Sequence, residues 1–306
     1  MQTDVSTKET LQPIGKPVTF ASTFKKWVKM LVKSKTGTLG FVIVFTVIGV
    51  SLFADVLAPY DPAVPNPVDR LQPPSWIEGG SSEYLLGTDN LGRDILSRLI
   101  VGSQVSLLVG ISAVLLAGAI GLLLGLISGY YGGWIDLVIM RTVDAFLAIP
   151  SILFMLIVLA VVGPSLSTLI LVLGGTTWVV YARMVRGETL SIKERDYVRS
   201  AKAVGAKDSR IIGKYIFPNI ISSFIVIATL NVASTIISEA SLSFLGLGIQ
   251  SPDVSWGLML NDGREYVATS WWVATFPGVA ITVTVLGIIF LGDWLRDVLD
   301  PRMNTR

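Results

Sequence analysis

The sequence predicts an all-α membrane protein with six transmembrane helices, and three observations carry that prediction. Hydrophobic residues make up 52% of the 306-residue chain and charged residues only 15%, against roughly 25% charged in an average soluble domain. Mean hydropathy is +0.67. The third observation is the length of the uncharged stretches, which cover 36–54, 99–135, 145–182, 215–238 and 266–292. A helix that crosses a bilayer needs about 20 apolar residues, so each stretch can hold at least one span. The stretch 145–182 is too long for one and is interrupted at Gly163-Pro164-Ser165. Helices are therefore expected at 38–57, 104–128, 146–163, 167–182, 220–238 and 272–292.

The cationic residues orient these spans. Of 24 Lys and Arg, twenty fall in the N-terminal tail, the 129–145 connection, the 183–219 loop and the C-terminal tail. Only Arg70, Arg93, Arg98 and Arg264 fall on the other side. Positive charge is retained on the cytoplasmic side of membrane proteins, so both termini are expected in the cytoplasm. The first apolar stretch follows a basic segment of more than 30 residues, too long for a signal-peptide n-region, and reads as an uncleaved anchor.

Residues 1–24 are polar and rich in Thr, Ser and Lys. From Phe24 to Lys35, Lys alternates with Trp27, Val28, Met30, Leu31 and Val32, the pattern of a short helix lying on the membrane surface. The first span is followed by a Pro-rich outer loop. In GTDNLGRDILSR (87–98), Asp89 can cap a helix whose Leu91, Ile95 and Leu99 face the membrane surface. Asp89 and Asp94 have no third ligand at a metal-binding spacing, and Arg93 and Arg98 offer them simple ion pairs.

The second span carries Ala113, Ala117, Gly121, Gly125 and Gly129 at intervals of four. Inside lipid, small residues at this spacing let a second helix approach closely; a pore-lining stripe is the alternative. Asp136, Arg141 and Asp144 precede the third span, with an Arg141–Asp144 pair as the simplest contact and Pro150 in the first helical turn. Asp55 and Glu239 fall at the ends of their helices, so no acid is expected at a midplane, where ion-coupled carriers place one.

There is no Cys and no His. This excludes disulfides, thiolate nucleophiles, imidazole acid–base chemistry and Cys/His metal sites within the chain. The phosphate-cradling pattern GxxxxGK[ST] is also absent, so no nucleotide site is expected.

The most regular charged segment is SIKERDYVRSAKAVGAKDSRIIGKYIFPN (191–219). Ser191 and Glu194 have the spacing of a capping box. A helix can start there, present Tyr197, Ala201 and Val204 on one face, and stop at Gly205, where a left-handed residue ends helices. A second helix can start at Asp208 or Ser209 and end before Pro218. Such a hairpin on the basic side suits either anionic lipid or a soluble partner closing over the small residues at the turn.

Here the sequence resembles a family. YVRSAKAVGAKDSRIIGKYIFPN is similar to the EAA loop of binding-protein-dependent ABC importer permeases, with Arg199-Ser200-Ala201, Gly205 and Phe217-Pro218 at the motif positions. Arg199 and Ser200 depart from the motif's Glu and first Ala. The segments 86–110, 129–150, 241–260 and 292–302 resemble the C-type subunit of dipeptide/oligopeptide/nickel permeases. The resemblance spans 86–302 and leaves 1–35 untouched.

The resemblance implies a type I ABC importer permease in the bacterial cytoplasmic membrane. The chain then divides into a cytoplasmic tail with an interfacial helix (1–37), a first span (38–57), an extracytoplasmic loop (58–103) and a five-helix core (104–302) with a coupling hairpin (191–218). The expected partners are a second, homologous permease, two ATP-binding subunits, an extracytoplasmic substrate-binding protein and membrane lipid, with no nucleic acid. No cofactor is expected in this chain; ATP and Mg belong to the partner subunits. ATPase coupling falls to Arg199, Ser200, Ala201, Lys202, Ala203, Val204, Gly205 and Ala206. Gly246, Gly248, Pro252 and Trp256 are expected to form an extracytoplasmic gate or binding-protein contact, a folded sealing loop being the alternative. Peptides are the expected cargo. An opine, a nickel chelate, or a stand-alone channel or carrier remain open.

Overall fold

The computed structural model describes residues 27 and 29–299; the polar segment 1–24 and the end of the 292–302 motif lie outside them. Residues 29–33 are helical and run to Ser34. The Ser34 hydroxyl accepts from Gly37 N–H at 3.1 Å and caps the first long helix, α1 (Lys35–Leu52). The other elements are α2 (Ile95–Tyr131), α3 (Gly133–Ala148), α4 (Ser151–Val162), α5 (Leu166–Lys193), α6 (Asp196–Ala203), α7 (Phe217–Phe244), α8 (Trp256–Gly263) and α9 (Trp272–Leu299). No strand occurs among the described residues.

Helices α1, α2, α5, α7 and α9 are each long and apolar enough to cross a bilayer. Helices α3 and α4, which meet at 86°, are together long and apolar enough to make a sixth span when the bent pair is counted as one. The expected third helix at 146–163 is therefore broken. Ile149 is extended because the residue before a proline is pushed out of the helical region, and Pro150 caps α4.

Several helices outrun their apolar stretches. The second starts at Ile95 instead of residue 104, and the fourth continues eleven residues beyond residue 182. At 1.5 Å per residue, the 37 residues of α2 reach about 55 Å, well beyond the ~30 Å hydrocarbon core. Hydropathy marks what lipid can cover, whereas helix continuation depends on backbone hydrogen bonds and packing.

Small residues bring the helices together. On α2, a Cβ added to Gly121 would lie 2.4 Å from Tyr181 Cβ and 2.6 Å from Trp178 O, and one on Gly125 would lie 2.7 Å from Ala182 O. Ala113 and Ala117 are buried in the same contact region. This face of α2 thus lies directly on the backbone of α5, the arrangement in which dispersion contacts replace the absent hydrophobic driving force. Another face of α2 meets α7, where Gly110 abuts Ile236 and Gly118 abuts Phe224. Gly40 and Gly287 play the same part between α1 and α9. Helix α2 is the shared axis of the bundle.

Candidate functional site

The hairpin after α5 forms, but by a different route from the capping-box expectation. Ser191 lies inside α5, which runs on to Lys193 because Thr189 and Ile192 are buried against the bundle. The following helix, α6, begins after Arg195 with no side-chain cap. Glu194, left at the junction, pairs with Arg199. That hydrogen bond holds the Glu194 carboxyl below its ordinary value.

The turn follows from the sequence. Gly205 has φ +83°, its N–H donates to Lys202 O at 3.0 Å, and Ala206 N–H donates to Ala201 O at 3.1 Å. This nested pair satisfies the last carbonyls of α6 and requires a residue free to be left-handed.

The second limb starts at Asp208 but does not end before Pro218. It passes through a π turn at Ile212–Ile216, where Phe217 N–H bonds Ile212 O, and continues into α7 with Pro218 in its first turn. The wider turn removes the need for a proline N–H and relieves the ring from the preceding carbonyl.

The buried face of the hairpin is not Tyr197, Ala201 and Val204. The side chains that turn inward are Val198, Ile211 and Ile216, joined to Leu126, Val185 and Ile192. With that seam filled, Val204 stands 89% exposed at the tip and Tyr197 is also exposed. Arg199, Ser200, Lys202, Ala203 and Gly205 face solvent, and Ala201 and Ala206 are half-buried. Lys202, Lys207 and Arg210 form no ion pair among the described residues. An added Cβ on Gly205 would meet nothing within 4 Å. The result is a basic hairpin with an exposed apolar tip.

The opposite end of the bundle is built in the reverse sense. The cap of α2 is Asp94 rather than Asp89: its Oδ2 accepts from Ser97 N–H at 2.7 Å and from the Ser97 hydroxyl at 2.6 Å. Ile95 packs with Trp256, Met259 and Trp272 and does not face a membrane surface. Asp89 instead receives Arg93 Nε at 2.7 Å and pairs with Arg98, and both guanidinium groups reach Asp262 at 2.9 and 3.0 Å. Arg98 is 1% exposed. Two positive and two negative groups cancel in a low-dielectric site.

The four residues expected at an outer gate do not act alike. Trp256 is 3% exposed, with its indole N–H donating to Leu99 O at 2.9 Å. Gly248 is buried against Ser243, while Gly246 and Pro252 are exposed. The inner part of this segment is packed into the fold, and its rim is exposed.

Glu239 does not end its helix, since α7 extends to Phe244. It is fully buried, and its Oε1 accepts from the Ser243 hydroxyl at 2.7 Å, with Oε2 unpartnered. The hydropathy reading placed this acid at the helix end because the apolar stretch stops just before it. Nearer the hairpin, Asp136 accepts from Arg186 Nη2 at 2.7 Å, tying α3 to α5. Asp144 pairs with Arg183 at 3.1 Å more closely than with Arg141 at 3.9 Å.

Five bilayer-length helices, a bent sixth pair and a protruding basic hairpin define a multi-pass membrane subunit. Comparison with known proteins gives the family. The chain belongs to the binding-protein-dependent transport system inner membrane components, whose family model matches residues 121–305. The N-terminal TM domain of oligopeptide transport permease C matches residues 22–74.

Among its relatives is a dipeptide transport system permease protein of Alkalihalophilus pseudofirmus, 41% identical over 94% of this chain and 92% of the relative. A di/tripeptide transport system permease protein of Pseudomonas aeruginosa is 39% identical, over 93% and 94% respectively. A glutathione transport system permease protein of Pectobacterium atrosepticum is 42% identical, over 86% and 85%. The chain is accordingly an ABC transporter permease component carried in the inner membrane.

Proposed function

We propose that this chain is one of two permease subunits of an ATP-driven importer of di- or oligopeptides, coupled to separate ATPase subunits through residues 191–218. The observation that carries the reading is the hairpin tip. Val204 is almost wholly exposed at the end of a glycine-terminated helix, and an uncovered apolar side chain ringed by Lys and Arg suits a protein socket better than water. Arg199, Ser200, Ala201, Lys202, Ala203, Gly205 and Ala206 surround it. The basic end then faces the cytoplasm, where two ATPases bind two such hairpins and hydrolyse ATP with Mg.

The companion permease completes the pathway, and an extracytoplasmic binding protein delivers the cargo at the opposite end, where Gly246 and Pro252 are exposed. Peptide cargo is favoured over an opine or a nickel chelate because relatives covering nearly the whole chain are named for dipeptides and di/tripeptides; glutathione, named for another, is itself a tripeptide. An ion-coupled carrier gains little from Glu239, which is closed off from solute.

The reading is tested by uptake of a labelled dipeptide into cells depleted of that importer's own permease and supplied with this chain. Gly205→Trp adds bulk where no described atom lies within 4 Å of an added Cβ, against only the left-handed backbone. It should insert normally and abolish uptake. Normal uptake by that variant would contradict the hairpin's role.

A further inference from the structure

A hairpin gripped by an ATPase moves solute only if its displacement reaches the spans. The apolar seam beneath it, with Val198 and Ile211 against the bundle, holds the hairpin down but is non-directional and does not fix how it slides. A directional connection exists at one tyrosine. The Tyr130 hydroxyl, in the last turn of α2, donates to Asp208 Oδ1 at 2.5 Å. The Tyr130 carbonyl accepts from Lys193 Nζ, at the end of α5, at 2.5 Å, and the same ammonium lies 5.6 Å from the Tyr130 ring centroid.

One residue therefore joins the descending limb of the hairpin, the end of α5 and the helix that serves as the axis of the bundle. Hydrogen bonds to ionised partners are short and geometrically demanding. Tyr130 itself is buried, so its position is set by packing. Two other polar contacts near this end do not substitute for it. The Glu194–Arg199 pair is exposed and local to the start of the hairpin, and the Asp136–Arg186 bond joins α3 to α5 without touching the hairpin.

We infer that Tyr130 is the joint through which movement of the 191–218 hairpin is passed to α2, with Asp208 as its partner on the hairpin and Lys193 holding α5 in register. This inference rests on the reading that ATPases grip the hairpin. Tyr130 is a positioning residue: it touches neither nucleotide nor solute. Breaking the joint should leave the ATPases bound and cycling while the spans respond incompletely.

The test uses the whole importer, with its companion permease and ATPases, reconstituted in proteoliposomes with binding protein and labelled dipeptide inside and outside measured against ATP consumed. Tyr130→Phe keeps the ring and the Lys193 contact and removes only the hydroxyl. It should assemble, hydrolyse ATP at the wild-type rate and lose roughly tenfold in uptake per ATP, the lower end of the scale of one hydrogen bond to a charged group. Asp208→Ala should show the same loss in uptake per ATP. Asp208→Asn, whose amide oxygen still accepts from the tyrosine, should restore most of the ratio.

An unchanged ratio in Tyr130→Phe and Asp208→Ala would overturn the joint. So would hydrolysis and uptake falling together with a lower melting temperature, which marks a merely structural contact. Wild-type complex is measured first: absence of ATP-dependent uptake there would overturn the importer reading and the joint with it. Intact wild-type coupling with indifferent variants would remove the joint alone.

Discussion

The two ends of the molecule deal with charge and apolar surface in opposite ways. At the end bearing α8, Asp89, Arg93, Arg98 and Asp262 pair with one another in a largely buried cluster, and Trp256 and Ile95 are buried beside them. At the hairpin end, Val204 is uncovered and Lys202, Lys207 and Arg210 are exposed. The buried cluster is closed by the chain's own residues, although the loop around it still exposes Val68 and Trp76, and the hairpin tip presents its cations and Val204 without such a cluster beneath them. Substitutions at the first end should therefore be felt as lost stability, and substitutions at the second as lost partnership with stability intact.

The sharpest way to break the comparison is at Arg98. Arg98→Met leaves Asp89 buried with one fewer counter-charge, and removing one member of a buried ion pair costs about 3–5 kcal/mol. The melting temperature in detergent should fall steeply. The double variant Asp89→Leu/Arg98→Met should recover part of that loss, since Arg93 and Asp262 remain paired at 2.9 Å while the Leu91 and Arg93 N–H groups lose the Asp89 acceptor. A double variant as unstable as the single one would show that the network is not self-cancelling.

Gly121→Leu comes next. Its side chain would be driven into the α5 backbone, and overpacking costs about 1–3 kcal/mol; membrane-inserted protein should fall and its melting temperature drop. Gly205→Ala is milder, because only the left-handed backbone opposes it: about 1 kcal/mol, read as faster amide exchange confined to the hairpin. Val204→Asp should not alter the melting temperature and should weaken ATPase binding. Smallest is Arg199→Gln, which should leave melting unchanged because exposed pairs are weakly stabilising, while the Glu194 carboxyl titrates closer to its ordinary value once the guanidinium is gone.

Much of this contrast is legible in the sequence, for reasons that differ by element. The spans show because lipid demands long uncharged stretches, and the turn at Gly205 shows because few other residues end a helix in the left-handed region. The intervals of four from Ala113 to Gly129 show as a stripe, although their partner, α5, does not. Helix ends were harder. Helix α5 continues past the lipid-like stretch through Arg183, Arg186 and Glu188, since charged side chains that reach Asp144 and Asp136 are no obstacle to the backbone.

The capping-box spacing of Ser191 and Glu194 was a false start signal inside a helix already under way. Asp89 and Asp94 each precede a helix-compatible segment, and what separates them is Asp262, brought close by folding from 169 residues beyond Arg93. Glu239 was hidden by one helical turn. At the hairpin, a face drawn from Tyr197, Ala201 and Val204 and one containing Val198 are both apolar, and only the bundle determines which is covered.

The most direct measurement is mild-detergent purification of the tagged chain from its native host, with identification of the proteins that travel with it, repeated for Gly205→Trp. The account predicts a second permease and ATPase subunits with the wild-type chain, and retention of the permease but loss of the ATPases with the variant. A lone, stable wild-type protein, or ATPases retained by the variant, would contradict it.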